Sequence, residues 1–122
     1  PFELFVAQNL ALDGLLYPLV YERIVDQHLS AQGASAVAML TQFMSDWFDE
    51  TRKWVDAVIK VAAAESDANR AVLTEWIRQW SARAASAMVP VVELALGSAA
   101  DEAVGEQLDA FKARVLKTGI TL

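Results

Sequence analysis

Few side chains in this 122-residue chain could do chemistry: one histidine, His28, sixteen Asp and Glu, scattered serines and threonines, and no cysteine. A helical bundle that holds two metal ions through carboxylates takes a Glu from each of two helices and a Glu-x-x-His pair from each of the other two. That set needs two histidines, whereas His28 stands alone and is preceded at three residues by Val25 instead of a carboxylate. Its acidic neighbours, Glu22 and Asp26, put it near the polar end of a helix, where a solvent-side imidazole is favoured by the helix dipole. The pairs Asp46/Glu50 and Glu102/Glu106 are spaced by four and could line one helix face for metal binding or acid–base work. Arg52, Lys53 and Lys112 sit beside them, so a solvated charged face is the simpler reading, each ion pair being worth about a few tenths of a kcal/mol. No serine lies in the strand–turn–helix context that presents a nucleophile. The missing cysteines remove disulfides, thiolate metal sites and thiol nucleophiles, which suits a reducing, cytoplasmic setting. No catalytic, cofactor-binding or metal-ligating residue is assigned.

The elements that position these side chains read as all-α, about four helices in a single domain over residues 1–122. The first, about Glu3 to Ser30, is apolar on nearly every face through Phe5, Leu12, Leu15, Leu16, Leu19, Tyr21, Ile24 and Val25, as a centrally buried helix would be. Asn9 and Asp13 are its polar exceptions, one turn apart; buried polar groups must be paired, which predicts a hydrogen-bond cluster between helices or across a subunit contact. Pro18 cannot donate to the carbonyl of Gly14, so a kink or break is expected there, eased by the glycine. Gly33 ends the segment, and Ser35 is the expected N-cap of a second helix that pauses near Ser45 and Asp46 and reaches about Glu65. Phe43, Trp47, Trp54, Val58 and Val61, at spacings of 4, 7, 4 and 3, form its expected buried stripe. A third stripe, Leu73, Trp76, Ile77, Trp80, Ala84, Met88 and Val91, runs to about Leu96, with Pro90 expected to bend it. The four Trp then read as packed core whose indole N–H groups find partners. Gly97 closes that helix, and Ser98 with Asp101 has the form of a capping box for a fourth. There Val104, Leu108, Phe111 and Val115 face inward while Glu102, Glu106, Asp109, Lys112 and Arg114 face out, up to Gly119 and a fraying end.

Composition restricts the partners. A net charge of −6, with ten Lys and Arg spread along the chain, opposes binding to a phosphate backbone, so nucleic acid is not expected. No run of eighteen apolar residues is free of charge, Arg83 and Glu93 interrupting the best one, so no membrane partner is expected. The start Pro-Phe-Glu-Leu-Phe has neither an initiating Met nor the basic region of a signal peptide and reads as the cut end of something longer. A hydrophobic content of 55% with four Trp is rich for a small domain and predicts that partners cover part of its apolar surface.

Two stretches carry a resemblance. The run WFDETRKWVDAVIKVAAAESDANRAVLTEWIRQWSARAASAMVPVVELAL, from Trp47 to Leu96, and LDGLLYPLVYERIVDQHL, from Leu12 to Leu29, resemble the β subunit of the hydroxylase in bacterial multicomponent monooxygenases of the phenol hydroxylase and toluene monooxygenase type. The matching elements are Trp54 to Asp56, the Ala-Ala-Ala-Glu-Ser-x-x-Asn of Ala62 to Asn69, the paired Trp76 and Trp80, and Arg83, Ala84 and Pro90. The resemblance spans nearly the whole chain, as roughly the C-terminal third of such a subunit. It implies a ferritin-like bundle segment that is itself non-catalytic, packed against an α subunit holding a carboxylate-bridged di-iron centre, with a small γ subunit, a reductase and an effector protein completing an NADH-dependent assembly that hydroxylates phenol, toluene or a related hydrocarbon. Leu15, Leu16, Leu19 and Val20 are the expected subunit contacts, since obligate interfaces resemble a core cut in half. The competing expectation is a stand-alone helical module whose Trp-lined interior takes an apolar small molecule.

Overall fold

The computed structural model describes residues 1–122 and contains helices and turns only. Three long rods, the last divided by one tight turn, form the molecule: α1 Phe2–Leu29, α2 Ser35–Glu65, and α3 Asp67–Leu96 followed through a 3-10 turn at Gly97–Ala99 by α4 Ala100–Leu116. The all-helical expectation and its divisions hold, because the apolar periods that mark each helix are long and the stops between them are steric.

The stops themselves differ from expectation in detail. Gly33 and Gly97 have φ of 86° and 59°, a region open to glycine and strained for other residues, so these turns are fixed by residue type. Ser35 is already inside α2, whose cap position is Ala34 without a side-chain bond, and neither Ser98 nor Asp101 caps α4, whose cap position is Ala99. The side-chain cap is instead Ser66, extended at φ −163° and accepting from the Asn69 backbone N–H at 3.0 Å. It satisfies one of the free donors that open a helix. The helix α2 runs through Ser45 and Asp46 without a pause, and α3 continues through Pro90.

Helix α1 does not break at Pro18. It changes winding: Val6–Leu12 and Pro18–Leu29 are π-helical, with α-helical Asp13–Tyr17 between them. Pro18 stands where the α-helical stretch gives way to the second π segment, so the hydrogen bond its absent N–H cannot make is lost at a change of winding, not inside a uniform α-helix.

The core gathers Leu10, Leu15 and Leu19 of α1, Val55 and Ile59 of α2, Leu73, Ile77 and Val92 of α3, and Phe111 and Val115 of α4, all at most 2% exposed. Helix α1 contacts the other three helices and is the centre of the bundle. The chain end does not fray: after Gly119, at φ 92°, Ile120 returns to the core at 1% exposure, and the Thr118 hydroxyl donates to the Val115 carbonyl at 2.6 Å. Both Phe2–Leu29 and Asp67–Leu116 have the length and mean hydropathy, 1.2, of membrane spans. Both also carry the core-facing residues of this bundle, and buried core helices share that profile.

Candidate interaction surface

Helix α2 carries two apolar stripes, and this chain buries the one that periodicity did not favour. Phe48, Val55, Ile59 and Ala63 face the core. The stripe of Phe43, Trp47, Trp54 and Val61, expected inside, is exposed at 66%, 50%, 58% and 67%. The two stripes lie one residue apart, about 100° around an α-helix. Beyond Phe48 the buried stripe is aliphatic and small at Val55, Ile59 and Ala63, which lets α1 and α3 approach closely where an indole would hold them off. Leu40 and Met39 extend the open stripe toward the start of α2 at 75% and 80% exposure.

The open stripe borders α1 through ring contacts. Trp54 meets Phe5 edge-on at 5.4 Å, Trp47 lies 5.5 Å from Tyr17, and Tyr17 stacks on Phe48 at 5.2 Å. Such pairs add about 0.5–1.5 kcal/mol each beyond the area they bury. Between the two aromatic contacts, along α1, stand Asn9 and Asp13. Both are half-buried, and neither side chain has a hydrogen-bond partner in the chain, so the cluster expected between these helices is not made within the bundle. Burial pushes the Asp13 carboxyl above the ordinary aspartate range; it also holds the Tyr17 phenol up, helped by the charge of Asp13. Glu22 is raised too, by burial first and then by Asp49, with Arg52 opposing and Asp26 adding to it.

Of the expected contact residues on α1, Leu15 and Leu19 are 0% and 1% exposed and belong to the chain's own core, so they have no surface left to offer a partner. Leu16 and Val20 are half-buried at its edge. Three neighbouring helices use most of the apolar circumference of α1, which leaves Leu16 and Val20 as the members of that set with surface to offer.

The remaining polar residues make structural bonds. Arg114, expected on the outer face of α4, is turned inward: its Nε donates to Oδ1 and Oδ2 of Asp56 at 2.9 and 3.1 Å, and its Nη2 lies 2.8 Å from Oδ1. Its buried Nη1 has no hydrogen-bond partner and sits against Gly14. Trp80 Nε1 donates to Glu3 at 3.0 Å while Arg83 lies 4.7 Å over the same ring, so this indole finds the partner predicted for it. His28 Nε2 is 3.2 Å from the Gln32 amide at the exposed end of α1.

These donors do not fit a di-iron centre. No group of three or more His, Asp and Glu side chains converges; Glu50 stands exposed on α2, and Glu102 and Glu106, one turn apart, stand exposed on α4. Nor do the tryptophans enclose a ligand chamber: Trp47 and Trp54 face outward, and Trp76 only borders an open surface groove of about 340 Å³ with Phe2, Ala62 and Val72. The Trp-lined interior required by a stand-alone ligand-binding module is not formed.

Comparison with known proteins agrees with this architecture. Residues 1–66 match the family model described as methane/phenol/alkene hydroxylase. The chain is 50% identical over 119 residues to the phenol 2-monooxygenase oxygenase component DmpL of Pseudomonas sp. strain CF600, covering 98% of this chain and 35% of that one. It is 47% identical over 95 residues to the oxygenase component MhpL of Acinetobacter pittii strain PHEA-2, covering 78% and 28%. Among solved structures it superposes with a TM-score of 0.90 and 39% identity on xenon-pressurised phenol hydroxylase from Pseudomonas sp. OX1, over 99% of this chain and 36% of that one. The chain thus spans about a third of the length of the relatives it matches, and its fold is the ferritin-like helical one. On the match over more than half its length, the chain belongs to the methane/phenol/alkene hydroxylase family.

Proposed function

We propose that this chain is the C-terminal portion of a β-type, non-catalytic subunit in the hydroxylase of a multicomponent phenol-type monooxygenase, a soluble cytoplasmic assembly. The observation that carries the reading is the donor set. With one histidine and no converging carboxylates, the chain cannot supply the two Glu-x-x-His pairs of a di-iron bundle, although its relatives are oxygenase components of phenol monooxygenases. Iron and oxygen chemistry then belongs to an α subunit, together with the phenol or related hydrocarbon substrate; a γ subunit, a reductase and an effector protein complete the complex. The role of this chain is mechanical. Rigid helices packed against α hold its ligands in productive geometry, because a catalytic site is only as well placed as the shell that supports it.

Native mass spectrometry with iron analysis, on the full-length protein co-expressed with the genes that flank its own, tests this. The expected result is a heteromer with iron confined to a larger subunit. An iron-free monomer or homodimer with no stable partner, or iron bound to this subunit alone, refutes it.

A further inference from the structure

We infer that the open face of α1 and α2, from Leu40, Phe43 and Trp47 to Trp54, receives an amphipathic helix from the rest of the same polypeptide, and that this helix brings a cationic side chain to Asp13. The inference rests on the proposed reading of the chain as one portion of a longer subunit.

Three observations lead there. The stripe is strongly apolar on either side of one polar turn at Glu50 and Thr51, with its two indoles half exposed or more, a surface that soluble proteins seldom leave bare. Ring contacts at Phe5–Trp54 and Tyr17–Trp47 fix it to α1, so α1 and α2 present one rigid seam into which a third helix can be laid. Lastly, Asn9 and Asp13 lie between those contacts without partners. An apolar helix laid over Asp13 would strand a carboxylate that is already desolvated, which is costly unless a donor meets it. An arginine or lysine does so and leaves the rest of the covering face free to be apolar. The source follows from length: the relative with 98% of this chain matched has 65% of its own chain outside the match, ample for such a helix. A tethered segment also meets the seam at high effective concentration, which a separate chain lacks.

The test places a photoreactive benzoylphenylalanine at Trp47 or at Trp54 in the full-length subunit within its assembly. After irradiation the products are separated by denaturing electrophoresis and mapped by peptide mass spectrometry. The inference expects a cross-link inside the polypeptide, to an apolar helix carrying Arg or Lys. It also expects Asp13→Lys to lower the yield about tenfold by setting two cations face to face, with Asp13→Asn, which removes the carboxylate but adds no repulsion, falling between Asp13→Lys and the parent. A cross-link to another subunit overturns the choice of occupant, and an unreacted probe at both positions shows the seam open and overturns the inference whole. The full-length mass separates the two readings: one near 13.3 kDa removes the longer subunit on which this rests, whereas a larger mass with no internal cross-link defeats the inference alone.

Discussion

Gly14→Ala isolates the closeness of α1 to α4. A Cβ built at Gly14 falls 3.0 Å from Arg114 Nη1 and 3.1 and 3.2 Å from the Phe111 ring. Both neighbours are held: Phe111 is 2% exposed, and the guanidinium is fastened to Asp56. Two effects oppose each other. Alanine stabilises a helix interior relative to glycine by about 1 kcal/mol, while one extra methyl in a filled core costs about 1–3 kcal/mol. Since neither neighbour can retreat without breaking a bond or moving a buried ring, the steric cost wins, and net destabilisation of about 1 kcal/mol is expected, a fall in Tm of about 4 °C for a domain of this size. Urea unfolding followed by Trp fluorescence measures it. Repeating the substitution in a Phe111→Leu background, where the ring edge is gone, should shrink the loss or reverse its sign, giving a coupling of about 1 kcal/mol in the double-mutant cycle. A Gly14→Ala protein as stable as the parent, with no coupling to position 111, would refute the argument and return Gly14 to being a concession to the proline four residues later.

Two further outcomes follow from the same structure. Asp13 has a carboxyl raised by burial, so the fold binds its proton more tightly than the unfolded chain does. Its charge therefore costs stability as pH rises from the unfolded value near 3.8 through the folded one, and the loss is complete above that; Asp13→Asn should raise the urea midpoint of the isolated 122-residue chain at pH 7, with the gain fading as pH is lowered toward 4, and a gain unchanged across that range would contradict it. Ser66→Ala removes the hydroxyl that accepts from Asn69 and should cost about 1 kcal/mol, seen by circular dichroism as a lower Tm; Ser66→Asp should restore it, and a neutral alanine would show that the α2–α3 turn is held by packing alone.

How much of this was legible depended on the range of the cause. The apolar repeat in α4, Val104, Phe111 and Val115, names its own buried face because that helix has a single stripe. In α2 the repeat was ambiguous, since Trp47 and Phe48, or Trp54 and Val55, are adjacent and each begins a plausible stripe. Aromatic bulk favoured the stripe that stays outside. Ser66 is legible in the sequence only as part of a polar turn; Ser35 and Ser98 have the local pattern of caps, but their backbones are already wound into helix and 3-10 turn. Of the proposed contacts, Leu15 and Leu19 lie within the chain's own core, which no single-helix pattern could reveal.

Composition and local pattern alone specified the helical class and the glycine stops at Gly33, Gly97 and Gly119. Each of these is settled within one turn of chain or by counting residue types. Only the tertiary structure decided which stripe of α2 is buried, that Arg114 reaches Asp56 across 58 residues of chain, that Gly14 makes room for Phe111, and that Ile120 closes the core. Those choices compare one helix face with another in space, and the free energy that decides them comes from fit between surfaces distant in sequence.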